Sequence, residues 1–304
     1  KNLKNNFGPA SEFVYLDDSD YSDGKVTQKT IQDIHSISKS DKPFFIAIGF
    51  RKPHLPFIAP KKYWDLYDKN EISLPVNNFF PPSAPQKANY FYELRKFTDI
   101  PNKGPISDEK AKELIHAYYA CVSYIDAQIG LILDELDNQD LTSNTTVVLT
   151  SDHGFSLSEH GRWTKHNLFQ YELKIPMVIS SPKYKKNKTS ESFVELVDLY
   201  PTLCDIAGLE IPDFAQGKSL IDNLKNPKKI TSDIAFSIWK NGETLISNKY
   251  YYTEWSRKGN VTHRMLFDIE SDEFQMNNIA EIKSYKPVVD SLSKILNKHI
   301  KSTK

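Results

Sequence analysis

Thr145-Thr146-Val147-Val148-Leu149-Thr150-Ser151-Asp152-His153-Gly154 runs from a β-branched segment straight into a polar turn. The first six residues have the composition of a buried strand. The next four set a carboxylate and an imidazole side by side at the strand's C-terminal end, ahead of a glycine that lets the backbone turn. Open α/β sheets place their ligand sites at that end of their strands. The stretch therefore reads as a strand followed by half of a metal site. A turn cap by Asp152 with an incidental His153 is the other reading.

The flanks extend the pattern. Upstream, from about Asp108 to Leu136, Ala111, Leu114, Ile115, Tyr118, Val122, Ile125, Ile129, Ile132, Leu133 and Leu136 recur at mostly three- and four-residue steps, with Ser107 placed to cap a helix. Pro43 to Phe50 is an apolar run ahead of Pro53 and reads as another buried strand emptying into a loop. Downstream, Ile175 to Ser180 reads as a strand and Val194 to Gly208 as a helix closed by glycine. This alternation predicts an α/β layer with a mostly parallel sheet. The Pro- and aromatic-rich stretch Leu74 to Pro105 has no sustained period and is expected to be a long ordered loop.

From about Asn223 the texture changes. Short aromatic strands at Ile234 to Trp239, Tyr250 to Trp255 and Met265 to Ile269 are separated by turn signals at Asn241-Gly242 and Lys258-Gly259-Asn260. An amphipathic helix follows, with Val288, Val289, Leu292, Ile295, Leu296 and Ile300 on one face. The expected organisation is a larger α/β part over 1–222 and a small antiparallel α+β subdomain over 223–304.

The 304 residues include 39 Lys plus Arg and 39 Asp plus Glu, so the formal charge is zero. That balance argues against nucleic acid held by bulk charge and leaves room for a local cationic pocket. No apolar run reaches the ~18 residues of a membrane span. The two cysteines, Cys121 and Cys204, lie in helical apolar spacing and read as buried free thiols. The chain begins at Lys1 without Met, in polar text from Lys1 to Asn6, and reads as an internal point of a longer polypeptide.

Two clusters carry chemistry. Close after Asp152-His153 come Glu159-His160-Gly161 and Trp163-Thr164-Lys165-His166. A lysine beside metal-ligand candidates is costly unless an anion lies between them. One loop aims few side chains inward, so His160 is read as a packing residue. The second cluster, Arg51-Lys52-Pro53-His54-Leu55-Pro56, follows the other apolar run. Two prolines are expected to hold His54 in a stiff extended loop, and histidine suits proton transfer near neutral pH.

Pro43 through Phe57, Ala117 through Gly130, and Ser151-Asp152-His153-Gly154 through Lys165 together resemble the type I, formylglycine-dependent sulfatases, nearest the iduronate-2-sulfatase-like branch. Tyr251 to Trp255 and Leu266-Phe267-Asp268 are similar to that family's C-terminal subdomain. The resemblance runs from about Asp23 to Ala280. It implies an alkaline-phosphatase/sulfatase-like α/β sandwich, represented by its later part, and hydrolysis of O-sulfate esters on a sulfated sugar or polysaccharide. It implies Ca2+ held in part by Asp152 and His153, Lys165 on the sulfate, His54 on the ester and protonating the leaving oxygen, and Lys52 adding positive field. It also implies a secreted, periplasmic or lysosomal setting, with no nucleic acid partner and no membrane span.

The family's nucleophile is a Cys or Ser in C/S-x-P/A/S-x-R, converted to formylglycine. Cys121, Cys204 and Ser83-Ala84-Pro85-Gln86-Lys87 all fail that pattern. Leu16-Asp17-Asp18 imitates the family's first metal pair, yet no nucleophile follows it, so Asp17-Asp18 reads as a surface loop. The implied partner is an N-terminal segment of the same protein carrying both missing elements, without which the chain is expected to be inactive. Phosphodiesterases and phosphonate hydrolases of the same superfamily are the rival reading, and a non-catalytic sulfated-glycan-binding relative is the rival outside enzymes.

Overall fold

A computed structural model of the chain describes residues 7–184 and 187–302; Lys1 to Asn6 lie outside the described residues. The chain divides into two compact units. The first comprises Lys1–Val76 and Phe91–Thr146, the second Asn77–Tyr90 and Val147–Lys304. The boundary expected at 222/223 falls inside the second unit, because the C-terminal sheet shares a core with Leu168 and Phe169.

In the first unit, β1 (Ser11–Val14) is followed by α1 (Ser22–Ile37), β2 (Phe57–Pro60), α2 (Lys61–Trp64) and α3 (Asp108–Asn138). β1 and β2 pair in parallel, Ser11 opposite Phe57 and Val14 opposite Pro60. The cap expected for α3 is present: the Ser107 side chain accepts from Lys110 N–H. Asp108 and Glu109 complement the dipole in the first turn. The buried face runs through Leu114, Ala117, Ala120, Cys121, Tyr124 and Gln128, where small residues let the helix lie close to β2. Val122 and Leu133, expected on that face, are exposed.

α1 packs against α3 yet buries Asp23, Gly24, Thr27 and Thr30. A Cβ on Gly24 would stand 1.9 Å from the Asp18 carbonyl oxygen, so only glycine fits there.

The run 43–50 corrects the expectation of a buried strand. It pairs with no described strand, and Phe45 is 76% exposed. The apolar composition is present, but the ladder hydrogen bonds that define a strand are not.

The second unit starts with β3 (Val147–Thr150), then β4 (Ser156–Leu157), β5 (Trp163–Thr164), α4 (Gln170–Leu173) and β6 (Met177–Ser180). β3 pairs with β6 antiparallel, so the mostly parallel sheet expected from the alternation is not formed by the described strands. Then come α5 (Leu199–Ala207), α6 (Ile221–Lys225), β7 (Ile234–Trp239), β8 (Gly242–Ser247), β9 (Tyr250–Arg257), β10 (Asn260–Asp268) and α7 (Lys286–Ser302). Gly208 ends α5 at φ 71°, as its position predicts.

β7 to β10 form an antiparallel sheet in the order β10-β9-β8-β7. Alternation along β9 decides its packing. Tyr251 and Trp255 join Leu168, Phe169, Met265 and Phe267 on one side, while Tyr252 joins Leu245, Leu266 and the α7 residues Val289, Leu292 and Leu296 on the other.

Candidate active site

The His54 loop is built around Asp23. This residue is buried in the first turn of α1, and its two carboxylate oxygens accept from the backbone N–H groups of Arg51 (2.9 Å) and Lys52 (3.0 Å). The loop turns instead of extending: His54 N–H donates to Arg51 O at 3.0 Å, and the Lys52–Pro53 and Leu55–Pro56 peptide bonds are cis. The Lys52 ammonium points into its own loop, donating to the carbonyls of His54 (3.2 Å) and Pro56 (2.5 Å). Burial lowers its pKa below the usual lysine value.

His54 is half-buried. Its Nδ1 donates to Leu55 O at 2.6 Å, and its Nε2 lies 3.4 Å from Glu93 Oε1. Both neighbours are acceptor oxygens, one facing each ring nitrogen. Asp23 and Glu93 were not singled out from the sequence. They lie far along the chain from His54, and no local pattern marks them.

Asp17-Asp18 has a structural task. Asp18 accepts from Tyr63 OH (2.6 Å) and Gln128 Nε2 (3.0 Å) and pairs with Lys62 Nζ (2.8 Å).

In the second unit, Asp152 and His153 stand on the loop after β3. His153 Nδ1–H donates to Gly154 O at 2.8 Å, which leaves the Nε2 lone pair pointing away from the backbone, 3.6 Å from Asp152 Oδ2. The Asp152 side chain is 85% exposed. The two donors fit part of one ion's shell. Calcium takes six to eight ligands, mostly oxygen. No group of three or more His, Cys, Asp or Glu able to hold a metal occurs among the described residues.

Glycine fixes this loop. A Cβ on Gly154 would lie 2.1 Å from Tyr171 O and 2.7 Å from Lys174 O, and Gly154 N–H donates to Glu172 O at 2.8 Å. Lys165 follows β5, where Thr164 takes a left-handed conformation at φ 77°, and is half-buried.

Two buried charged groups in the same unit, Arg162 and Glu172, carry no signal in the sequence. The Arg162 guanidinium donates to Ala88 O (2.7 Å), Asn89 Oδ1 (3.3 Å) and Tyr90 O, and burial lowers its pKa to about 10. Glu172 Oε1 accepts from Ser156 OH at 2.5 Å, while Oε2 makes no hydrogen bond. Burial pushes the Glu172 carboxyl up to about 7, against the pull of Arg162 and Ser156. His160 packs, as the sequence reading has it: fully buried, with Nε2–H donating to Phe274 O at 2.6 Å and its ring 4.2 Å from that of Phe169. Burial lowers its pKa to about 4.

Both cysteines are free and buried, and burial raises the Cys121 thiol to about 12. Neither suits a nucleophile. No helix among the described residues is long and apolar enough to cross a membrane.

A family model described as Sulfatase matches residues 2–209. The chain belongs to the sulfatase family. A second model, the N-sulphoglucosamine sulphohydrolase C-terminal region, matches residues 158–302 of this sulfatase chain. A sulfatase of Formosa agariphila is 31% identical over 267 residues, 84% of this chain and 50% of the relative. Mouse iduronate 2-sulfatase is 32% identical over 222 residues, 62% of this chain and 40% of the relative. The chain thus spans about half the length, or less, of these relatives.

Among solved structures, a protein in complex with its substrate D-glucosamine-2-N,6-O-disulfate superposes at TM-score 0.80 with 22% identity, covering 93% of this chain and 70% of that one. The phosphonate monoester hydrolase of Silicibacter pomeroyi does so at 0.83 with 21% identity, covering 95% and 62%. At those identities the likeness concerns the fold alone. It is the alkaline-phosphatase-like α/β fold of the sulfatases, with a small antiparallel sheet at the C-terminal end.

Proposed function

We propose that the protein carrying this chain hydrolyses O-sulfate esters on a sulfated sugar. The observation that carries the reading is the His54 ring, which has an acceptor on each nitrogen in a family whose leaving sugar oxygen needs a proton. Leu55 O holds the ring through Nδ1, and His54 Nε2 turns its proton from Glu93 to that leaving oxygen. Lys165 meets a sulfate oxygen as a point charge. Lys52 adds positive field while it staples the loop that carries His54.

Asp152 Oδ and His153 Nε2 would supply two donors to a calcium ion. The rest of its shell, and the residue that becomes formylglycine, belong to the part of the relatives' length that this chain does not span. When bound, calcium withdraws charge from the sulfate oxygens, and the aldehyde hydrate supplies the nucleophile. The setting that goes with this reading is secreted, periplasmic or lysosomal.

The test uses the complete protein with matched sugar 6-O-sulfate, sugar phosphate and methylphosphonate esters. Preference for the sulfate supports the reading, and preference for the phosphonate would replace it with the hydrolase alternative. Calorimetry on the 304-residue chain should show only weak calcium binding, because two donors leave most of the shell to water. Tight binding would mean that the chain holds further ligands of its own.

A further inference from the structure

On the reading that Lys165 meets a sugar sulfate, we propose that Tyr90, His166 and Trp239 form a platform for the neighbouring sugar residue, whose acidic substituent Lys240 receives. His166 follows Lys165 directly, so the platform begins one residue from the sulfate contact. The three rings make a triangle: Tyr90 to Trp239 is 5.2 Å, Tyr90 to His166 is 5.5 Å and His166 to Trp239 is 6.0 Å between centroids. The Lys240 ammonium lies 4.3 Å from the Trp239 ring and 4.4 Å from the Tyr90 ring. All three rings are half-buried and Lys240 is exposed. Among the described residues no carboxylate pairs with Lys240.

The platform is assembled from three separate segments, and two of them are held from behind. The buried Arg162 guanidinium grips the backbone carbonyls of Ala88 and Tyr90. The hairpin turn that carries Lys240 is pinned to β9, with Ser256 N–H donating to Asn241 O (3.1 Å) and Asn241 Nδ2 to Ser256 O (2.9 Å). Gly242 lets that turn close down: a Cβ there would stand 2.5 Å from Trp255 Nε1 and 2.6 Å from Leu168 Cδ1. Lys240 itself takes a left-handed conformation, φ 54°, which a lysine adopts only where its surroundings impose it.

The occupant follows from the chemistry. The CH groups on one face of a pyranose carry partial positive charge and settle on the negative face of an aromatic ring, as ring edges do. Rigid aromatic side chains give such contact at small entropic cost. A sulfate or carboxylate on the rim of that pyranose then meets the Lys240 ammonium in a charge-assisted bond. The class is therefore a uronate- or sulfate-bearing pyranose linked to the sugar whose sulfate Lys165 meets.

The test is calorimetric titration of the complete protein, prepared without formylglycine so that it binds without turnover, with a heparin-derived disaccharide of uronate and glucosamine 6-sulfate, and separately with glucosamine 6-sulfate alone. Lys240→Glu should weaken the disaccharide roughly tenfold or more and leave the monosaccharide unchanged. Lys240→Arg should restore disaccharide binding, and Lys165→Ala should weaken both ligands. If Lys240→Glu binds the disaccharide like wild type while Lys165→Ala loses it, the rings are packing only and the sulfate reading stands. If Lys165→Ala has no effect and Lys240→Glu does, the platform stands as a glycan site and the sulfate reading falls. No saturable disaccharide binding by wild type overturns the platform.

Discussion

The loop bearing His54 and the segment bearing Asp152, His153 and Lys165 are fixed in opposite ways. The first rests on matched hydrogen bonds: the Asp23 oxygens take two backbone N–H groups, and the Lys52 ammonium takes two backbone carbonyls. The second rests on buried charge. Arg162 and Glu172 are 1% and 2% exposed, and both Arg162 Nε and Glu172 Oε2 lack hydrogen bonds. A loop of the first kind fails when an acceptor is lost. A segment of the second kind changes its stability with pH, because its protonation differs between folded and unfolded chain.

The largest expected effect is on the first side of this contrast. Asp23→Ala strips two backbone N–H groups of their acceptor. At about 1–3 kcal/mol for each unsatisfied buried group, the first unit should lose roughly 2–6 kcal/mol. Urea denaturation of the wild type and the variant measures it. A loss under about 1 kcal/mol would mean that water replaces the carboxylate and that the loop does not depend on it.

The next effect breaks the second side. Glu172 titrates near 4.5 when unfolded and at about 7 when folded. The folded chain therefore binds the extra proton, and stability falls as pH rises from about 4.5 through 7. His160 works the other way: lowered from 6.5 to about 4, it stays neutral when folded, so stability falls as pH drops from 6.5 towards 4. At about 1.4 kcal/mol per pKa unit, each contributes roughly 3 kcal/mol over its window.

Between pH 4.5 and 6.5 the two slopes oppose, and the wild type should show a shallow profile. Glu172→Gln should match wild type near pH 4.5 and be the more stable protein at pH 8. Its acid slope, now due to His160, should be steeper. A Glu172→Gln variant less stable than wild type at pH 8 would show that attraction to Arg162 outweighs the cost of burial. The smaller change is His160→Asn, chosen because asparagine tolerates the left-handed backbone at φ 55°. It also loses the ring contact with Phe169, so the informative quantity is the slope: decline towards neutral pH alone. An unchanged acid slope would take His160 out of the account.

What could be read beforehand follows the same division. α3 was legible because a serine cap, acidic first turn and long apolar period agree. Even there the buried line runs through Ala117, Ala120 and Gln128 instead of Val122 and Leu133, since close approach to β2 selects small side chains. α1 escaped notice because it buries threonines, a glycine and Asp23, with the Thr27 and Thr30 hydroxyls bonded back to the helix. β8 carries a weaker signal than its more aromatic neighbours. The run 43–50 reads as a strand because apolar composition does not reveal whether a pairing strand is present.

Among the residues proposed for catalysis and binding, His54, Asp152, His153 and Lys165 are legible as chemistry-bearing types beside apolar runs. Their supports are not. Asp23 and Glu93 reach the His54 loop from distant segments, and the burial of Arg162 and Glu172 is a property of the folded core.

The acid role proposed for His54 in sulfate ester hydrolysis has a direct test. The measurement is kcat/KM for a sugar sulfate and for 4-nitrophenyl sulfate, in the complete protein and its His54→Ala variant, both verified to retain formylglycine. A sugar alkoxide leaves poorly without a proton, so the sugar sulfate rate should fall by about 10²–10⁴. Nitrophenolate needs almost no such help, and its rate should fall far less. Equal falls for both substrates would show that His54 only binds the shared sulfate group, and would contradict its role as the acid.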